Sequence, residues 1–466
     1  MRHLIVFLVL AGSTLARAQD DPPLVESPSD RLDRLEKRLE EQDAEIERLR
    51  HEVEDQRAHV GTDPGDPESA EAVEQTPSEL LGKVTLLPPT FSSHDGSHKV
   101  WLNGRVMADA RIGLHSQKFF SDTFQVRRAR MTLNAQLYTR IFLRLGLEFG
   151  RTSNADVRDA YLHVEFAPEF QMVAGQQLLP FSMERLTSST RMKHPERPIF
   201  VDQIVALRDI GFMIKGDLFE KLLSYEVMVF DGSGQNLKVD TDDDFDGAGR
   251  LVLRPLKGLT LDVAYWYSPS NRLRRGPSLP RTVGGQATPF LLYALLTNRH
   301  DGNRQRFDAG ARYRWGPLEV KGEFLVDYLR GMRRNDGFSR KTNLTNWSAF
   351  VDVSWLITGE EQTGKNVVPD SPVWEQDGGF AGGAGAFEIN LRYEHLRYDP
   401  DTTRKGFATG TDRVHAATAT AIWIPIERLR FMASYSYASF EDRVFDRKGD
   451  ATRNDHVLAL RWALHF

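Results

Sequence analysis

The chain of 466 residues contains no cysteine. That excludes a disulfide framework and any thiolate metal site. After the short apolar run Leu4–Leu10 there is no apolar stretch of 18 residues, so no segment can cross a bilayer as a helix. Charge of one sign is also scarce: 60 basic against 65 acidic side chains leave a net charge of −5, which argues against nucleic acid as a partner. No Ser-His-Asp or paired-carboxylate constellation stands out, so no catalytic residue, cofactor or metal is assigned. Mean hydropathy is −0.43, a value compatible with a membrane β-barrel, because only alternate strand residues meet lipid and the loops are polar.

What the chain does have is alternation. From His456 to Phe466, Leu458, Leu460, Trp462, Leu464 and Phe466 fall on one side, and Val457, Ala459, Arg461, Ala463 and His465 on the other. That period of two is a strand with one apolar face. A free apolar-faced strand is an open edge, which barrel closure removes. A last aromatic residue on such a strand resembles the assembly signal of outer-membrane barrels. At the other end, Met1 and Arg2, the run Leu4–Leu10 and the small residues Ala16 and Ala18 read as a secretory signal peptide, residues 1–18.

Leu32, Leu35, Leu39, Gln42, Ile46, Leu49 and Val53 recur every three and four residues, which predicts a coiled coil over 30–57. The stretch 58–97 is rich in Pro, acids and small residues and reads as a flexible linker. From 98 to 466 sixteen alternating segments are expected, near 99–113, 123–138, 140–150, 156–166, 170–179, 208–217, 222–231, 247–255, 259–268, 303–315, 317–329, 344–357, 385–398, 412–425, 428–440 and 454–466. Short and long connections alternate, as in an outer-membrane barrel. The long Gly-rich stretch 358–384 falls on the short-turn side and breaks this rule. The fold class is therefore all-β: a 16-stranded antiparallel transmembrane β-barrel behind an N-terminal α-helical coiled coil.

Parity assigns the faces. Ala129, Met131, Leu133, Ala135 and Leu137 point to lipid, and Arg128, Arg130, Thr132, Asn134 and Gln136 to the lumen. Asn103, Arg105, Asp109 and Arg111 also point inward, as do Arg306, Asp308, Arg312 and Arg314. By simple alternation Arg127 points at lipid. Sixteen strands leave an aqueous channel. Two other motifs are set aside. Gly359-Glu-Glu-Gln-Thr-Gly364-Lys365 matches most of a phosphate-binding loop, but Asn366 stands where a Ser or Thr is needed and Pro369 prevents the helix that must follow. Asp242, Asp244, Asp246 and Gly247 match the front of a calcium loop, but its twelfth position is Leu253.

Leu102-Asn-Gly-Arg105-Val-Met-Ala-Asp109, Phe124-Gln-Val-Arg127-Arg128-Ala-Arg130, Asp159-Ala-Tyr161, the run Gly175 to Ser189, and Ser354-Trp-Leu-Ile-Thr-Gly359-Glu360 together resemble the phosphate-selective porin O/P family over roughly residues 98–466. The resemblance implies a trimeric barrel whose third outer loop folds into the lumen, with an arginine ladder leading anions to a constriction. Arg105, Arg127 and Arg128 fall on ladder positions, beside the inward Arg130. Arg185, Ser188, Ser189 and Arg197 fall on the constriction loop, and Asp159 on an acidic partner position. For Arg127 the carry-over requires a rim position or a bulge. Arg185 stands where phosphate-specific members use Lys, and Thr190–Pro195 differs from their loop. The expected function is an outer-membrane porin of a Gram-negative bacterium, a homotrimer in outer-membrane lipid with its coiled coil in the periplasm, passing phosphate or other small anions by passive diffusion. Inward acids are nearly as frequent as inward bases, so a general or weakly cation-preferring porin stays open, as does a periplasmic or surface binding or tethering protein.

Overall fold

A computed structural model describes residues 81–86, 88–114, 122–150, 155–199, 201, 205, 208–236, 244–269, 291–293, 302–332, 341–375, 378–445 and 450–466, together with Arg48. The signal peptide, and the coiled coil apart from Arg48, lie outside these residues.

Twenty strands follow in chain order: β1 (Leu81–Leu86), β2 (Pro89–Ser93), β3 (Lys99–Gly113), β4 (Thr123–Leu137), β5 (Ile141–Glu148), β6 (Asp156–Ala167), β7 (Phe170–Leu178), β8 (Arg208–Leu218), β9 (Leu223–Phe230), β10 (Asp246–Leu253), β11 (Leu259–Ser268), β12 (Leu291–Tyr293), β13 (Arg304–Trp315), β14 (Leu318–Met332), β15 (Thr342–Leu356), β16 (Ala386–Arg397), β17 (Ala408–Gly410), β18 (Arg413–Ile426), β19 (Leu429–Phe445) and β20 (Ala451–His465). Sixteen of them, all but β1, β2, β12 and β17, form one antiparallel ring. β20 closes on β3 from Val457↔Gly113 to His465↔Arg105. Phe466 continues the seam by exchanging both backbone hydrogen bonds with Gly104, each 3.0 Å. β12 and β17 pair as a separate two-stranded ribbon.

The alternation that makes the strands also sorts their faces. Met131, Leu133, Leu143 and Leu145 are exposed on the outside, while Thr132, Asn134 and Glu148 are buried on the inside. Exposed aromatics form two levels on the outer wall. Trp315, Trp355, Phe387 and Trp462 lie toward the short turns, and Tyr265, Tyr328 and Tyr393 toward the long connections. An apolar band between aromatic girdles is the arrangement a bilayer selects.

The stretch 58–97 is not a linker throughout. β1 and β2 form a hairpin, Leu86↔Pro89 at its turn, and β2 pairs with the first residues of β3, Thr90↔Trp101 to Ser92↔Lys99. β20 covers β3 only from Arg105 upward, so the hairpin occupies the edge below the seam. Pro89 is tolerated because it is the first residue of its strand. Removing residues 20–80 should therefore leave a folded barrel. Extending the deletion through 95 uncovers the β3 edge and should lower the thermal unfolding temperature in detergent by a few degrees more; equal melting of the two truncations would count against this role.

The candidate anion pathway

The connection between β7 and β8 does not stay outside the barrel. It carries a short helix, α1 (Met183–Leu186), and one 3-10 turn, η1 (Ser189–Arg191). Phe181, Ser182 and Val201 are fully buried, and Met183, Met192 and Ile199 nearly so. Charged contacts tie the loop to strands around the ring. The Glu184 carboxylate accepts from Lys321 on β14 at 2.8 Å, and its N–H donates to Glu323 at 2.9 Å. His194 meets Asp352 on β15 at 3.2 Å and the Thr420 hydroxyl on β18 at 2.7 Å. Lys193 binds Glu388 on β16. The segment crosses the lumen and narrows it.

Glu196 is the strongest tie on the β3–β4 side. Arg127 grips it with two hydrogen bonds of 2.7 and 2.9 Å, and Arg111 donates to the same carboxylate. Arg461 on β20 clasps Asp109 at 2.6 and 2.7 Å and lies 3.7 Å from Glu196. Burial alone would raise the Glu196 carboxyl; the Arg127 and Arg111 guanidiniums outweigh it and hold the group well below the ordinary carboxylate range. A depressed group contributes stability that is present above the unfolded carboxylate value of about 4.3 and is lost as pH falls toward and through the depressed folded value. The loop should therefore stay tied at mild acidity and loosen only in strong acid, well below about pH 4, seen there as current flicker. Glu196→Gln should flicker already at neutral pH, and a quiet Glu196→Gln channel would refute the tie.

Arg127 reaches Glu196 because β4 is bulged. The register passes from Met107↔Arg128 to Ala108↔Val126, leaving Arg127 as the extra residue. Val126 and Ala129 face outward, and Arg127 and Arg128 both turn in, as a bulge permits.

The other site residues divide into three groups. Arg130 and Asp159 are neutralised: Arg130 pairs with Glu148 at 3.0 Å, and Asp159 takes Arg208 at 2.8 Å and Arg144 at 3.6 Å. Arg185 and Arg197 brace the loop. Arg185, expected to project into the channel, is buried and donates to the carbonyls of Val201 and Val205. Arg197 donates to the Glu184 carbonyl at 3.1 Å and to that of Thr187. A chain folded into the lumen has backbone carbonyls that strands do not satisfy, and these guanidiniums supply the donors.

Arg105 and Arg128 form the third group. Among the described residues neither has a carboxylate within salt-bridge range. Among the described residues Arg128 donates to the Met107 sulfur, at 3.7 Å. Arg105 donates to the hydroxyls of Ser189 at 2.8 Å and Ser188 at 3.3 Å. It stands directly across from Arg130 in the β3–β4 register. One partly exposed guanidinium and two hydroxyls thus converge where positive charge is in excess.

The model of the family described as phosphate-selective porin O and P matches residues 100–257 and 293–466. The chain belongs to that family. It is an outer-membrane β-barrel channel and not an enzyme. A protein of Caulobacter vibrioides described as uncharacterized is 24% identical over 444 residues, covering 88% of this chain and 80% of the relative. Among solved structures, the outer membrane channel DcaP of Acinetobacter baumannii is similar with a TM-score of 0.51 at 12% identity, covering 81% of this chain and 99% of that one. OprB of Pseudomonas putida is similar at 0.50 and 11%, covering 80% and 95%. These likenesses establish the barrel fold of this porin.

Sequence reasoning missed Glu196, which sits on a loop where parity says nothing. Its partner Arg111 was legible as an inward residue, and Arg461 as one of the mixed face of the last strand.

Proposed function

We propose that this porin favours small oxyanions, phosphate among them, and passes them by passive diffusion. The observation that carries the reading is Arg105, with no carboxylate in salt-bridge range among the described residues and hydrogen-bonded to Ser188 and Ser189. A guanidinium and two hydroxyls present several donors to one tetrahedral anion. Arg128 adds a second uncompensated charge on the neighbouring strand. Rings of Arg or Lys favour anions over cations.

A second reading, a general porin without marked preference, is favoured by the pairing of most lumenal bases. Arg111, Arg127, Arg130, Arg208, Arg250 and Arg461 all hold carboxylates. The zero-current potential of the purified protein in a planar bilayer under a KCl gradient separates the two. A chloride-directed potential with phosphate slowing the chloride current supports the anion reading; a cation-directed potential rejects it.

We also propose a homotrimer. Ala421 on β18 pairs with Ala433 on β19, and Ala417 and Ala419 continue the exposed outer face. That flat patch lies above the aromatic level of Phe387 and Trp423 and suits subunit contact better than lipid.

A further inference from the structure

The connection 357–385 joins β15 to β16 at the end of the barrel where the other turns are short. Its first part does not hang free. Gln362 is buried; its side-chain oxygen accepts from Lys193 of the constriction loop at 3.0 Å and its amide donates to Glu388 at 2.7 Å. Its backbone N–H donates to the Gly316 carbonyl in the β13–β14 turn at 2.8 Å. Two residues on, the Gly364 carbonyl accepts from Arg191 of the constriction loop. The Asn366 amide then meets His465 on β20 at 2.8 Å. Residues 362–366 thus run across the barrel mouth from β13 to β20.

Gly364 permits this path. Its φ is +77°, and a Cβ there would lie 2.7 Å from the Arg314 guanidinium carbon. Any larger residue would meet both backbone strain and that side chain.

Between this strap and the constriction loop lies a cavity lined by Thr190, Arg191, Arg312, Arg314, Glu319 and Lys365, among others. Its charge is not balanced. Its lining acids are Glu319 and Glu427; Arg314 and Arg312 share Glu319, at 2.6 and 3.8 Å, and Arg430 reaches Glu388 only at 3.9 Å. Arg191 spends a donor on a neutral carbonyl. Lys365 is exposed and makes no ion pair among the described residues. Lys193 and Lys321 also line the cavity, but each has its own acid, Glu388 and Glu184. The cavity is on the other flank of the loop from Arg105: Ser188 and Ser189 face β3, whereas Thr187 accepts from Arg312 on β13 at 3.3 Å.

We propose that the strap and the constriction loop enclose a second oxyanion site, on the short-turn side of the pore, held by Lys365, Arg191, Arg312 and Arg314. It takes a small phosphate-class anion, and it gives the pore a binding step on that side which the Arg105 site does not supply. This rests on the anion reading above. The excess charge lies in a narrow space with low-dielectric walls, where each charge acts over a longer range than in open water.

The test uses the full chain in a planar bilayer, chloride current and inorganic phosphate as the probe. In the wild type, phosphate added on the short-turn side should block at lower concentration than phosphate added on the opposite side. Lys365→Gln and Arg191→Gln should each raise the short-turn-side blocking concentration roughly tenfold, the effect of one charge about 6 Å from the anion at an effective dielectric of about 40. The zero-current potential should stay chloride-directed, because Arg105 and Arg128 are untouched. An unchanged blocking concentration in both variants overturns the site. A cation-directed potential in the wild type would instead overturn the anion reading itself. The absence of cysteine allows an independent check. A Lys365→Cys chain should react with an anionic methanethiosulfonate from one side only, and phosphate should slow that reaction severalfold. Labelling at equal rates with and without phosphate would also overturn the proposal.

Discussion

Replacing Arg105 and Arg128 together with alanine should shift the zero-current potential in a KCl gradient strongly toward cations, and each single replacement should shift it part of the way. The argument starts from pairing. Most lumenal arginines hold a carboxylate, so removing one of them also lets its acid move and makes the change harder to read. Arg105 and Arg128 hold none among the described residues, so their removal subtracts positive charge alone. A unit charge about 6 Å from a permeating ion, at an effective dielectric of about 40, is worth about 1.4 kcal/mol, a tenfold change in local anion concentration. Screening sets the working range. At 0.1 M salt the Debye length is about 10 Å, and at 1 M about 3 Å, so the difference should be large at low salt and shrink as salt rises. Arg130→Ala is the control. It removes the same single positive charge but leaves Glu148 without its guanidinium partner. Its shift should therefore be in the same direction as that of either uncompensated arginine and no larger. If the double variant keeps the wild-type potential at low salt, the lumenal charge does not select anions.

The contrast between Arg105 and Arg185 shows what the sequence could convey. Period-two alternation marks a strand and its two faces, because successive side chains of a pleated strand point opposite ways. Arg105 lies on such a strand, so its inward direction was legible. Arg185 lies on a loop that leaves the strand pattern and packs in the lumen. Its direction is decided by which backbone carbonyls need donors, those of Val201 and Val205, and nothing in the linear order announces that. Arg127 is intermediate. Alternation alone pointed it at lipid, and the family resemblance required either a rim position or a bulge; the register shows the bulge. The hairpin of β1 and β2 was hidden by its prolines, since Pro88 and Pro89 read as linker until their position in a turn and at a strand start is known. The strap was hidden for a different reason. Its path depends on Lys193, Gly316 and His465, residues far apart in the chain.

Replacing Phe466 with alanine should reduce the yield of heat-resistant barrel in the outer-membrane fraction more than any other single truncation on β20. Two contacts carry the expectation. The backbone of Phe466 exchanges hydrogen bonds with Gly104 at the lower end of the β20–β3 seam. The ring covers the same glycine so closely that a Cβ on Gly104 would fall 2.2 Å from its Cζ. The aromatic ring and the missing side chain are therefore two halves of one contact on the outer face. Losing a packed phenyl group costs about 3–5 kcal/mol in a protein core and less where one side of the ring meets lipid. The hairpin of β1 and β2 begins just below, at Trp101, so the seam has few other ties at this end. Gly104→Val should fail for the complementary reason, because its side chain would displace the ring. Combining Gly104→Val with Phe466→Ala should be less harmful than the sum of the two, since the valine can occupy the space the ring leaves. Heat-modifiable migration of barrels refolded in detergent measures packing, and the outer-membrane fraction of cells measures assembly. A deficit in cells with normal refolding in detergent would place the role of Phe466 in recognition during assembly. Additive losses in the double variant would show that ring and glycine act separately.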